Sequence, residues 1–135
     1  MTTATVSYLG DLRTEATHVR SSATMLTDAP VDNHGKGEAF SPTDMVATAT
    51  LSCMITMMGI TAQKSDIDLG EVKGTVEKVM TSQPRAIGAL HVEITSSGHT
   101  FSDTEKALLE NAALSCPVSR SLHPNIMINV KFVYN

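Results

Sequence analysis

The sequence predicts an α+β fold with a largely antiparallel sheet packed on two main helices. Strand-like alternation of apolar and polar residues comes in runs, and two helical segments break those runs. The chain has 135 residues, of which 41% are hydrophobic. A chain of this length is enough for one core, so we expect a single domain over residues 1–135.

The first part of the chain is predicted to contain three strands. Apolar residues alternate with Thr and Ser over residues 4–8, which is typical of a half-buried strand. A Gly-Asp turn precedes a second extended segment at 13–19, and a third follows at 23–27. Asn, Asp and Gly over 32–37 then indicate a loop, because these residues tolerate left-handed backbone.

A long helix is predicted to begin at residues 41–44, Ser-Pro-Thr-Asp. Ser can cap a helix, Pro suits the first helical position, and Asp three residues later can complete a capping box. Residues 45–62 are apolar or small on every face, which predicts burial in a core or an interface. Cys53 lies in the middle of this helix, and Gly59 is expected to end or bend it.

Strands and one more helix are predicted for the rest of the chain. A strand opens at 72–76, and residues 90–95 alternate as in a half-exposed strand. A second capping box at 102–105 leads into a helix with Leu108, Leu109, Ala112 and Ala113 at helical spacing. Cys116 falls near its end, directly before a proline, and residues 126–134 alternate as a closing strand.

Composition argues against several classes of protein. The formal net charge of −4 is unlike that of nucleic-acid binders, which carry basic patches. No stretch of about 18 apolar residues without charges was found, so neither a membrane-spanning helix nor a membrane partner is expected. The N-terminus lacks the basic and apolar regions of a secretory signal, which favours the cytoplasm. Since Trp is absent and Met numbers 8, thioether and aliphatic side chains must fill the core.

The two cysteines, Cys53 and Cys116, are the best candidates for chemistry. Two helices of an α+β domain commonly pack on the same sheet face, which would let the two thiols meet as a redox pair. A reactive thiol needs a nearby cation to lower its pKa. Arg13, between two strands, could reach over a helix packed on the sheet. Arg20 is a second candidate for this cation, whereas Arg85 and Arg120 are typical of solvated turns.

Other site types are poorly supported. Cys53, Cys116 and His123 could form three ligands of a zinc ion, but no C-x-x-C or paired His spacing accompanies them. Gly35 and Gly37 form no phosphate-binding loop. We therefore expect neither a metal nor a cofactor.

Five short motifs are each unspecific alone, but their order and spacing together are more specific. They are residues 10–13 (GDLR), 37–44 (GEAFSPTD), 49–54 (ATLSCM), and 114–118 (LSCPV) with 121–124 (SLHP). With these motifs the chain resembles the OsmC/Ohr family of thiol peroxidases over nearly its whole length, and it is most similar to the small OsmC-like branch.

The resemblance implies an intertwined homodimer with two active sites at the subunit interface, and reduction of organic hydroperoxides. It implies that Cys53 attacks the peroxide and becomes a sulfenic acid. It implies that Cys116 resolves this acid as an intramolecular disulfide, which a dithiol reductant, not identified by the sequence, then reduces. The Met-rich surroundings would suit an alkyl hydroperoxide.

The resemblance also assigns an arginine. Arg13 best matches the activating arginine of the family, and Arg20 is the weaker alternative. Peroxidases of the family hold this arginine with a Glu ten residues before the first Cys, where this chain has Thr43. Asp44 and Glu38 are the acids left to replace it, although Asp44 is also the predicted cap.

A non-catalytic function is the alternative hypothesis. The same dimer interface would hold a small apolar molecule against the Met-rich helix, with both thiols serving as packing.

Overall fold

The computed structural model describes every residue from Met1 to Asn135. The chain forms two compact units, Met1–Val46 and Ala47–Asn135. Three strands occupy the first unit, and three strands with two helices occupy the second, while the longest helix begins in the first unit and continues in the second. The expected α+β class is thus confirmed, and the single-domain interpretation stays a prediction.

The first unit is a three-stranded antiparallel sheet in the order β1 (Ala4–Gly10), β2 (Arg13–His18), β3 (Thr24–Asp28). Its register pairs the first residue of β2 with the last residue of β3. The prediction that β1 is half-buried is wrong, because the side chains of Val6 and Tyr8 are 65% and 67% exposed. The alternation of apolar and polar residues in β1 therefore marks an apolar face that is exposed to solvent in the protomer.

The loop predicted after β3 is present, and it includes one 3₁₀ turn, Val31–Asn33, that the sequence did not predict. Gly35 is required there by close packing, since a Cβ at this position would lie 1.7 Å from the carbonyl oxygen of Ala29. Ser41 and Asp44 then exchange two hydrogen bonds, from the Ser41 N–H to the Asp44 carboxylate and from the Asp44 N–H to Ser41 Oγ, each 3.0 Å long. This reciprocal cap starts helix α1 (Pro42–Lys64) where the sequence predicts it.

The second unit contains a mixed sheet. Strands β4 (Glu71–Thr81) and β5 (Ala86–Ser97) are antiparallel, and β6 (Met127–Tyr134) runs parallel to β5. Helices occupy the connection from β5 to β6, and such a crossover is what a parallel pair needs. Leu90, Val92 and Ile94 of β5 are buried and the residues at 91 and 93 are exposed, which confirms the predicted alternation.

Helix α1 packs in the core of this unit along one stripe. Its buried residues recur every three or four positions: Ala47, Thr50, Met54, Met58 and Ala62. The other faces of α1 are half-buried or exposed in the protomer, so the core covers only this stripe, and burial of the other faces in an interface stays a prediction. Gly59 neither ends the helix nor starts a loop, because α1 continues to Lys64.

Helix α1 also meets the length and composition of a membrane-spanning helix, contrary to the sequence-based expectation. Its Ser and Thr residues interrupt the apolar run without adding charge. A buried core helix can pass the same test, and 28% of the apolar stretch is buried within the protein. The absence of a membrane partner therefore stays a prediction.

Helix α2 (Asp103–Leu114) begins with the predicted capping box, in which Ser102 and Glu105 bond each other's backbone N–H groups. Leu109 and Ala113 face the core, whereas Leu108, expected on the same apolar face, is exposed. A short helix α3 (Pro117–Ser121), which the sequence did not predict, follows directly.

Candidate active site

Cys53 is positioned by the middle of α1. The helix presents it one turn after Thr50, on the side that faces the second unit's core, and its side chain is half-buried. Residues of the apolar core surround it, which limits contact with water. Its partial exposure still leaves a path to solvent that a fully enclosed thiol would lack.

Cys116 is positioned by the junction of α2 and α3. The proline at 117 starts a new helix, and Cys116 adopts an extended conformation as the cap residue of α3. Its Sγ accepts the backbone N–H of Ser119 at 3.3 Å. The side chain is fully buried, with 0% exposure.

The structure brings the two thiols together although 62 residues separate them in the sequence. Both are free, and each thiol is near enough to the other to shift its pKa. The backbone N–H of Val118 lowers the pKa of both thiols. Cys116 also lies 3.9 Å from the carbonyl oxygen of Thr50, within reach of an S–H donor.

The two thiols differ in acidity. Burial raises the pKa of Cys53, and the nearby charge and hydrogen-bond acceptor of Cys116 raise it further. Burial also opposes ionisation of Cys116, but hydrogen bonding, chiefly from the Ser119 N–H, outweighs it and lowers the pKa of Cys116.

Arg13 lies in the first unit, where two carboxylates hold it. Its Nε and one terminal nitrogen donate to the two oxygens of Asp28 at 2.7 and 2.8 Å, a bidentate pair. The same terminal nitrogen is 3.5 Å from Glu38. Hydrogen bonding to Arg13 lowers the pKa of Asp28, and the bond to Asp28 raises the pKa of Arg13. The guanidinium is fixed in one orientation and remains 25% exposed.

Of the two acids that the sequence left to replace the family's Glu, Glu38 contacts Arg13. The carboxylate of Asp44 bonds the backbone of Ser41 as the helix cap. The main partner, Asp28, was missed by sequence reasoning. The register of β2 and β3, which sets Arg13 opposite Asp28, is the signal that could have found it, because opposite charges on paired residues attract.

The other candidates lie apart from the thiols or serve local structure. His123 accepts the backbone N–H of Asn125 at 3.0 Å, and no group of three His, Cys, Asp or Glu side chains is close enough to hold a metal ion. An open groove of about 520 Å³ lies on the polar side of the second sheet and is lined by residues of all three strands, such as Glu77, His91 and Lys131. Neither cysteine lines it.

Comparisons with known proteins agree on one family. The model of the OsmC-like protein family matches residues 35–131. A candidate osmotic stress induced and detoxification response protein from Psychrobacter arcticus 273-4 is 47% identical, with a TM-score of 0.93 over 98% of this chain and 96% of that one. No curated protein matches the chain.

More distant structures share the fold. The organic hydroperoxide resistance protein OsmC from Legionella pneumophila is 19% identical, with a TM-score of 0.72 over 98% of each chain. An organic hydroperoxide resistance protein from Elizabethkingia anophelis is 17% identical, with a TM-score of 0.67 over 100% of this chain and 98% of that one.

Proposed function

Because this chain belongs to the OsmC-like family, we propose that it is a thiol-dependent peroxidase that reduces organic hydroperoxides. The observation that carries the proposal is that Cys116 lies against the turn of α1 that holds Cys53, with its Sγ 3.9 Å from the carbonyl oxygen of Thr50. The names of the Legionella and Elizabethkingia proteins, both organic hydroperoxide resistance proteins, give further support.

In the proposed reaction Cys53 attacks the peroxide, because it is the more accessible of the two thiols. Its sulfur is oxidised to a sulfenic acid while the hydroperoxide is reduced to an alcohol. Cys116 then displaces the hydroxyl group from that sulfur, which forms a disulfide and water. A dithiol reductant exchanges with the disulfide and restores both thiols. The apolar residues around Cys53 favour an organic substrate over a strongly hydrated one.

Arg13 is proposed as the activating cation. The pKa of Cys53 is raised by burial, so attack at neutral pH needs a positive charge beside the sulfur as it ionises. A guanidinium held by two carboxylates is suited to this task, because its direction is set before the substrate binds.

We further propose that the protein works as a homodimer in the cytoplasm as part of a stress response. Free thiols persist in that compartment because its reductants keep them reduced. Several apolar residues of the first unit are more than half exposed and offer a surface for a second copy, among them Val6, Tyr8, Met25, Val31 and Phe40. Neither a nucleic acid nor a membrane is part of the proposal.

The proposed function is tested by counting free thiols and measuring turnover. One equivalent of cumene hydroperoxide should remove both thiols of the reduced wild type. Cys53→Ser should reduce dithiol-dependent hydroperoxide consumption by more than about a hundredfold, since it removes the nucleophile. The Cys116→Ser variant should form the sulfenic acid on Cys53 once and then stop, because no second thiol is present to form the disulfide. Ser52→Ala, on an exposed neighbouring position of α1, is the matched control and should keep wild-type turnover.

Wild-type turnover in Cys53→Ser would contradict the proposal. The alternative, a non-catalytic protein that binds a small apolar molecule, would instead be supported by two results together. The wild type would show no turnover, and native mass spectrometry would find the molecule bound to both the wild type and a double Cys→Ala variant.

A further inference from the structure

Ser119 holds Cys116 through two hydrogen bonds. Its backbone N–H donates to Cys116 Sγ at 3.3 Å, and its hydroxyl donates to the Cys116 carbonyl oxygen at 2.9 Å. The hydroxyl bond ties Ser119 to the residue that caps α3, and this fixes the direction of its N–H group. The Cys116 sulfur therefore has a hydrogen-bond donor in place before any reaction begins.

Access to solvent distinguishes the two cysteines. The side chain of Cys116 is fully buried, whereas that of Cys53 is half-buried. A hydroperoxide that reacts with Cys53 needs a path to that sulfur, and the same path is open to a small thiol. A thiol could reach the Cys116 sulfur only if the residues around it moved.

The disulfide of the proposed cycle can be opened at either sulfur, and the two routes differ in which cysteine leaves as a thiolate. Thiol–disulfide exchange is fastest when the attacked sulfur is accessible and the leaving thiolate is stabilised. Cys53 meets the first condition because it is the more exposed residue. Cys116 meets the second, because the Ser119 N–H can bond a negative sulfur there.

We infer that Ser119 is the positioning residue that makes Cys116 the leaving thiolate when a dithiol reductant opens the disulfide by attack on Cys53. The inference rests on the proposed function, because it concerns the disulfide that the proposed reaction forms. It assigns the sulfur that is attacked, the sulfur that departs and the group that stabilises the departing charge.

The step balances in atoms and electrons. One thiolate of the reductant bonds the Cys53 sulfur as the bond between the two cysteines breaks, and the electron pair of that bond leaves with Cys116. The products are a mixed disulfide on Cys53 and a Cys116 thiolate that accepts the Ser119 N–H. The second thiolate of the reductant then attacks the reductant's own sulfur in the mixed disulfide. This attack releases Cys53 as a thiolate and oxidises the reductant to its disulfide, and the two protons lost by the reductant are available to the two cysteines.

The first experiment locates the attacked sulfur. Wild-type protein oxidised with one equivalent of cumene hydroperoxide is mixed with excess 2-mercaptoethanol, a monothiol that opens the disulfide but has no second thiol to complete the exchange. The reaction is quenched with acid, and free thiols are then labelled with N-ethylmaleimide. Peptide mass spectrometry should find 2-mercaptoethanol on Cys53 and the label on Cys116, in at least about tenfold excess over the reverse arrangement.

The second experiment compares Ser119 with a matched residue of the same helix. Ser119→Ala removes the hydroxyl that fixes the N–H, and it should slow reduction of the disulfide by dithiothreitol roughly three- to tenfold, the effect of one hydrogen bond. Ser121→Ala removes a hydroxyl that donates to the Pro117 carbonyl oxygen at 2.8 Å, and it should keep the wild-type rate. Ser119→Thr retains a hydroxyl and should restore the rate. Simple loosening of α3 would instead expose Cys116, speed reduction and place 2-mercaptoethanol on Cys116.

The outcomes separate the inference from the proposed function. A mixed disulfide found mainly on Cys116 would overturn the inference while the peroxidase stands. The same conclusion would follow from a reduction rate in Ser119→Ala at or above that of the wild type, or from an equal loss of rate in Ser121→Ala. A wild type that forms no disulfide with the hydroperoxide would overturn both the inference and the proposed function.

Discussion

Asp28 is the residue whose position matters most to the proposed arginine. Its carboxylate is fully buried, at 0% exposure, and pairs with both donor nitrogens on one side of the Arg13 guanidinium. A third hydrogen bond comes from the backbone N–H of Glu38 at 3.1 Å. A buried carboxylate with this set of donors stays ionised, because its charge is matched by a cation and an N–H group.

Asp28→Asn should make the stability of the protein less sensitive to acid pH. The pKa of Asp28 is lowered by Arg13, so the pair's contribution is fully present above the ordinary Asp pKa of about 3.9 and is lost as the pH falls below it. We expect unfolding temperatures measured between neutral and acid pH to fall less steeply in the variant, from a lower starting value.

The control for this change is Asp11→Asn, in an exposed turn where Asn tolerates the positive φ of 53°. It should keep the wild-type acid dependence. Peroxide turnover should also fall in Asp28→Asn, by roughly ten- to a hundredfold, if the arginine loses its orientation. An Asp28→Asn variant with the same acid dependence as the wild type would show that the ion pair contributes nothing to folding.

At the scale of elements, α1 combines two tasks. Its buried stripe packs against the second sheet, and Leu51 approaches β4 so closely that a Cβ at Gly74 would lie 2.7 Å from its side chain and displace it. The same helix carries Cys53 and the Thr50 carbonyl to the thiol pair. Packing of the stripe therefore also sets the position of the reactive sulfur.

Met58→Ala should destabilise the second unit by about 2–5 kcal/mol, because it removes a fully buried side chain from the core and leaves a cavity. Denaturant unfolding at fixed protein concentration measures the effect. Met127→Ala makes the same substitution at a side chain that is 60% exposed and should change stability by less than about 0.5 kcal/mol. Equal losses in the two variants would mean that α1 is not held by its buried stripe.

At the scale of the whole molecule, the exposed apolar surface supports the proposed homodimer. One face of β1 presents Val6 and Tyr8 to solvent, and α1 is apolar well beyond its buried stripe. Apolar patches of this kind on a single protomer mark surfaces that another molecule covers. Membrane insertion would also cover α1, but its buried stripe lies in the core of the second unit.

Light scattering after size-exclusion chromatography should give twice the chain mass of 14.4 kDa. Val6→Glu should shift the protein towards the single-chain mass, because it places a charge on the apolar face of β1. Ser7→Glu adds the same charge at the next residue, which points to the opposite face of the strand, and should leave the mass unchanged. A wild type that remains at the single-chain mass at all concentrations would contradict the dimer.

Much of the fold follows from local sequence signals. Both capping boxes, at Ser41 and at Ser102, begin helices where predicted, because a cap depends on residues only three positions apart. Alternation in β5 likewise reports burial correctly. The same signal fails in β1, since alternation shows that a strand has an apolar face but not whether this protomer covers that face. Gly59 fails as a helix end because packing on both sides outweighs a cost of about 1 kcal/mol.

The class of fold, the family resemblance and the candidate site residues, two cysteines and one arginine, all follow from the amino-acid sequence. Which groups these side chains meet depends on the folded chain. The register of β2 and β3 sets Asp28 opposite Arg13, and the helix junction at Pro117 directs the Ser119 N–H at the Cys116 sulfur. Acidity depends on such contacts between residues distant in sequence, because hydrogen bonds and burial act through space and not along the chain.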